Sequence, residues 1–189
     1  MRRERKIAIL FLLVAVICTA LRIYWVVKVQ PIIFMQDRME MWRSMYVGYF
    51  WNYPNEHGGE YPKDLTEFAN APPPAQSSGS EYRQPDWKSF YYVSGLTRND
   101  PIEMPLIIYI PENKRITNGM VGFVAGHGML LPLDTAQRLI REPWGVTRDG
   151  KPLDEQTKKV LKKRIKVLPP IRDQENNSSK SPLPATHPR

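Results

Sequence analysis

Two hydrophobic patterns share the first third of the chain. Residues 7–29, IAILFLLVAVICTALRIYWVVKV, are almost uninterruptedly apolar, and Arg22 and Lys28 are their only charges. About twenty such residues suffice to cross a bilayer as a helix. Ile7, Leu10, Leu13, Ile17, Leu21 and Trp25 are its candidate membrane-anchor residues. Beyond Pro31 the pattern changes. Met35, Met39, Trp42, Tyr46, Tyr49 and Tyr53 recur at alternating steps of four and three, which keeps all six on one helical face. An apolar helix therefore feeds directly into an amphipathic one, roughly 70 Å long over residues 7–53 if continuous. Pro31 is expected to kink it or mark its restart, because proline lacks an amide donor and clashes with the preceding turn. The stripe is read as a face buried against the protein's own sheet, the other use of such a face being a partner helix.

The remaining pattern predicts short elements. Pro54 to Gly59 ends the helix, and Asp64 with Glu67 three residues on reads as the cap of a short helix. Residues 71–81, APPPAQSSGSE, read as a flexible loop. Strands are expected at residues 87–94 and 106–110, and a hairpin at 119–131 turns through Ala125, Gly126, His127 and Gly128. Asp134 is expected to cap a helix running to about Glu142, which Pro143 stops. Residues 154–168 are expected to form a second helix with six basic residues between Lys158 and Lys166, and residues 169–189 are polar, proline-rich and expected to be disordered. The fold class is α+β, a long N-terminal helix on a small antiparallel sheet. The expected divisions are an anchor at 1–30, an exported domain at 31–145, a basic helix at 146–168 and a tail at 169–189.

Charge adds direction. The net charge of +8 over 189 residues gathers in the first six residues and at 158–166, so no broad polyanion surface exists and nucleic acid is not an expected partner. Arg2, Arg3, Arg5 and Lys6 before the apolar run place the N-terminus in the cytoplasm by the positive-inside rule, with the rest outside. Arg22 lies past the middle of the run, where its stem reaches toward the headgroups, and Tyr24 and Trp25 suit an interface. A cleaved secretory signal is the competing reading, with Cys18, Thr19 and Ala20 as a small-residue site. Apolar character resuming at 23–27 favours retention, and either reading exports the domain.

Candidate chemistry is sparse. The single cysteine, Cys18, excludes an internal disulfide and a cysteine metal site. His127 between two glycines and His57 in a turn lack a surrounding carboxylate cluster. No GxSxG, HExxH or phosphate loop occurs. No catalytic residue, cofactor or metal is assigned. The basic helix is read as a solvated face, with acidic lipid or an acidic partner as its alternative ligand.

Three phrases in order carry a resemblance. They are Gly58-Gly59-Glu60-Tyr61-Pro62-Lys63-Asp64-Leu65, then Tyr92-Val93-Ser94-Gly95-Leu96-Thr97-Arg98-Asn99-Asp100-Pro101, then Val121-Gly122-Phe123-Val124-Ala125-Gly126-His127-Gly128. Together with the N-terminal helix they resemble the prepilin-type proteins of type II secretion and type IV pilus systems over residues 7–142. The nearest likeness is to the pseudopilin-like exported proteins of planctomycetes and verrucomicrobia. The resemblance implies a pilin-like fold and a single-pass protein of the bacterial inner membrane with a periplasmic domain. It implies a structural or accessory role, with the lipid bilayer, secretion or pilus components, or further copies of the chain as partners. Gly126, His127 and Gly128 form the family-like turn, and Ala125 stands where the family usually has aspartate. Some related major pseudopilins bind calcium near Asp100 and Glu103, but two carboxylates are too few for that ion. The apolar run has neither the glycine that the family's peptidase cuts after nor the glutamate that pairs subunits. That difference keeps a second reading open, a membrane-tethered binding module that does not polymerise.

Overall fold

The computed structural model describes residues 2–69, 87–144 and 153–171, so the loop expected at 71–81 and the tail beyond 171 lie outside the described residues. The chain begins as helix α1 (Arg2–Tyr24), passes a π-helical turn at Trp25–Val29, and continues as α2 (Gln30–Met45). The π turn stands immediately before Pro31. Proline donates no amide hydrogen and crowds the carbonyl four residues back, and widening the preceding turn accommodates that crowding without breaking the helix. A second π turn covers Tyr46–Phe50, and the short α3 (Tyr53–Glu56) closes the run. From Ile9 to Glu56 this is one 48-residue helix.

The second π turn shifts the buried face. Met35, Trp42, Tyr46 and Tyr49 are buried, and Met39 and Tyr53 pack half-buried against the same core. The wider turn also brings in Phe50, which is fully buried, while its neighbour Trp51 is 62% exposed. Phe50 meets Phe68, Trp87 and Tyr92 with ring centroids 5.0, 6.2 and 6.2 Å away. This aromatic cluster closes the far end of the core.

Beyond the helix come α4 (Thr66–Ala69), a 3-10 turn at Trp87–Ser89, β1 (Phe90–Ser94), β2 (Pro105–Tyr109), β3 (Asn118–Phe123), β4 (Gly128–Pro132), α5 (Leu133–Arg141), α6 (Glu155–Arg164) and β5 (Lys166–Leu168). The five strands form one antiparallel sheet in the order β4-β3-β2-β1-β5. Central β2 is buried throughout, as expected of a strand covered on both faces. The long helix covers one face at Gly122. A Cβ at Gly119 would meet Ala136 of α5, and residues three apart on a strand point to opposite faces. The sheet is therefore sandwiched between α2 and α5.

Several expectations change. The strand at 87–94 starts only at Phe90, because Trp87–Ser89 makes the 3-10 turn. Asp134 does not cap α5: Pro132 occupies that position, and Asp134 lies in the first turn, where its charge suits the helix dipole. Asp64 does accept from the amide of Thr66 at 2.8 Å, and Glu67 accepts from that of Lys63 at 3.1 Å. The helix expected over 154–168 stops at Arg164 and turns extended at Ile165. Residues 166–168 pair with β1 as its outer neighbour. A proline after Leu168 disfavours helix there, and the open edge of β1 supplies ladder partners. The basic segment is thus part of the same sheet, with Leu161 and Ile165 in the core.

Buried hydroxyls make the fold sensitive to alkali. Tyr92 is buried and donates to the carbonyl of Pro62 at 2.7 Å. Burial pushes its phenol well above the ordinary 10.0, and the charge of Glu67 adds to that. Tyr61 is pushed up to about 12, chiefly by burial and then by Tyr46. Below pH 10 both are protonated folded or unfolded, so their contribution is constant. Above it the unfolded chain ionises first, and stability falls as pH rises. The urea midpoint of the detergent-solubilised chain should drop between pH 10 and 12, with the late phenolate absorbance arriving together with loss of near-ultraviolet circular dichroism. Full ionisation of all nine tyrosines near pH 10 with the fold intact would contradict this.

Candidate functional site

The stripe and the β3–β4 hairpin meet in a socket built from glycines. Gly122 and Gly128 are cross-strand partners on either side of the turn. With no side chain at either position, the hairpin presents bare backbone to the helix, and the fully buried Trp42 lies on it. A Cβ at Gly122 would come within 2.5 Å of Trp42 Cε2; one at Gly128 would come within 2.8 Å of Trp42 Cδ1 and 3.0 Å of Met39 Cε. One helical turn on, Tyr46 covers Gly126, whose φ of 80° favours glycine on its own account. The Tyr46 hydroxyl donates to the carbonyl of Val124 at 2.8 Å. The turn itself closes through Gly126 N–H to Phe123 O at 2.8 Å and Phe123 N–H to His127 O at 2.9 Å.

His127 is exposed at the tip of this turn, and its backbone carbonyl is the atom the turn uses. Of the turn residues, Gly126 and Gly128 receive the helix together with Gly122, whereas His127 does not. His57 lies elsewhere, stacked on Tyr53 with centroids 3.8 Å apart and Nδ1 2.9 Å from the Tyr53 carbonyl. Among the described residues, no three His, Cys, Asp or Glu side chains come together to hold a metal ion. Asp100 is committed to the protein. One carboxylate oxygen accepts from the amide of Thr97 at 2.6 Å and from its hydroxyl at 3.0 Å, and the other pairs with Arg164. It ties α6 to the β1–β2 connection.

A cleft of about 300 Å3 opens beside the socket, lined in part by Tyr46, Trp51, Asn55, Tyr61, Arg98 and Ile102. Arg98 bonds the side-chain oxygen of Asn55. Burial raises the phenol of Tyr46 and pushes that of Tyr61 up to about 12, so both are protonated at neutral pH. A protonated phenol and a guanidinium donate hydrogen bonds but make poor general bases. The cleft thus sets hydrogen-bond donors beside the apolar walls of Trp51 and Ile102.

The other half of the helix is bare. Ile7, Leu10, Leu13, Ile17, Leu21 and Trp25 are each 47% to 62% exposed. The helix is long and apolar enough to cross a membrane, and none of that apolar stretch is buried by the rest of the protein. Sequence reasoning missed the role of the glycines. A three-residue turn at 124–126 sets Gly122 opposite Gly128, but nothing local in the sequence marks their contact with Trp42. Comparison of the chain with protein families, with curated proteins and with solved structures finds no match.

Because the socket floor must be bare backbone, Gly122→Ala should destabilise the head by about 1–3 kcal/mol through overpacking. Trp42→Leu removes the ring that the new methyl meets, so the double variant should lose less than the sum of the two singles. Urea denaturation in detergent, followed by circular dichroism, measures both. Additive losses would contradict the contact.

Proposed function

We propose that this chain is a non-enzymatic, single-pass membrane protein that holds a pilin-like head at the bilayer. Its role is structural or accessory in a type II secretion or pilus-like assembly. The observation that carries the reading is the helix itself, apolar and wholly exposed at one end and the core of the head at the other. Moving that apolar surface from water into hydrocarbon is favourable by about 25 cal/mol per Å2, and a bilayer supplies the hydrocarbon. An N-terminal basic cluster orients the anchor with the head outside, in the periplasm of a bacterial cell. The helix-on-sheet arrangement and the three ordered phrases support the pilin-like part.

A second reading is favoured by one specific feature. No glycine or glutamate occurs between Ile7 and Pro31, so the features expected for processing and subunit pairing are missing there. On that reading the head is a tethered binding module that never polymerises.

Two measurements separate the possibilities. The intact mass of the chain recovered from alkali-washed membranes should match the full sequence, and loss of the first twenty residues would overturn the anchor. Crosslinking in membranes from a photoreactive residue at Trp51 should capture another copy or a secretion component. A chain that stays membrane-bound but captures neither would leave the tethered module as the function.

A further inference from the structure

We infer that the β2–β3 turn rests on the anionic headgroups of the bilayer that holds the anchor, and so fixes the orientation of the head. The inference depends on the membrane reading above and adds a lipid-contact site to it.

The direction of β2 is the first step. Along the long helix, Phe34 lies against Tyr109 with ring centroids 6.0 Å apart, and Tyr46 bonds Val124. Val124 follows Phe123, which pairs with Pro105 at the start of β2. Strand β2 therefore runs back along the helix toward the apolar end, and the segment after Tyr109 continues that way. Arg38 reinforces this corner, its guanidinium 5.0 Å from the Phe34 ring and 4.9 Å from that of Tyr109.

The second step is distance. Seven helical residues separate Val27 from Phe34, about 10 Å along the axis. Headgroups occupy about 5–8 Å beyond the hydrocarbon on each side. Pro111, Glu112, Asn113 and Ile116 line one recess with Phe34 and Arg38, which holds the turn beside this end of the helix. That brings the turn to the headgroup layer. Ile32 and Ile33, between the anchor and the head, are 60% and 51% exposed, which fits apolar surface at the membrane boundary.

The third step is the turn itself. Ile116 is buried and its amide donates to the carbonyl of Asn113 at 2.9 Å, while the Asn113 side chain accepts from the amide of Arg115 at 3.0 Å. This Asx-braced turn places Lys114 and Arg115 at its apex, both exposed. Acids stand near this end as well: Asp37 on the helix and Glu112, two residues before Lys114, are both exposed. Glu112 lines a recess with Arg38, and Asp134 lies in the first turn of α5, beyond the bond from the Leu133 amide to the Thr117 carbonyl. Two cations facing a membrane from a short rigid turn suit phosphate-bearing, net anionic lipid.

The test uses the full chain in vesicles. Thr117→Cys in a Cys18→Ser background carries a bimane label, read against lipids spin-labelled at the headgroup. Quenching in phosphatidylcholine–phosphatidylglycerol vesicles should exceed that in phosphatidylcholine alone by about threefold or more. High salt should remove the excess, and so should Lys114→Glu with Arg115→Glu. Equal quenching in both lipids, or quenching indifferent to charge reversal, would overturn the site. A parallel sample labelled at the native Cys18 and quenched from the acyl chains reports the anchor. If Cys18 is quenched while residue 117 is not, only the turn contact fails; if Cys18 is unquenched, the membrane reading fails with it.

Discussion

The indole of Trp42 lying on the backbone of Gly122 and Gly128 is the contact on which the head depends. It fixes how close the long helix comes to the sheet, because any side chain at either glycine would occupy the space of the ring. One turn on, Tyr46 adds a hydrogen bond to the Val124 carbonyl of the same hairpin, a second tie along the helix axis. Burying a large apolar side chain contributes about 1.5–3 kcal/mol, and the hydrogen bond about 1 kcal/mol more. Against a net stability of about 5–15 kcal/mol for a domain, this one contact decides much of the outcome. The aromatic cluster around Phe50 extends it toward the helix end.

The same helix continues, without a partner, into the apolar half. One covalent backbone joins the two halves, the first apolar and exposed and the second packed on the sheet. Any orientation the head adopts at a membrane is therefore set by the helix and by whatever else at that end touches the lipid. The π turns at Trp25–Val29 and Tyr46–Phe50 matter for this reason. The first absorbs Pro31 while preserving continuity, and the second rotates Phe50 inward.

Much of this was legible in the sequence, and what was not had definite causes. The step of four and three residues from Met35 to Tyr53 depends only on helical geometry, and it located the buried face. Proline and glycine boundaries located β1 to β4 to within a few residues. The face widened by Phe50 was hidden, because a π turn has no simple side-chain signature. Strand β5 was hidden because Lys166–Leu168 continues the apolar and basic pattern of α6, and only the free edge of β1 makes it a strand. The glycines of the hairpin were read as turn residues, which fits Gly126. Gly122 and Gly128 serve a contact across 80 residues or more of chain, and local pattern carries no information about that. His127 drew attention as possible chemistry, yet its side chain stands exposed at the turn.

The central claim is that one unbroken helix is solvated by lipid at one end and by the head at the other. Amide hydrogen exchange on the full chain in lipid nanodiscs addresses it directly. Slow exchange should run continuously from about Ile9 through Phe50, the first half protected by bilayer and the second by the sheet, with no fast segment around Pro31 beyond the missing amide of proline itself. Rapid exchange through residues 9–27 in nanodiscs, with the head still protected, would contradict the account.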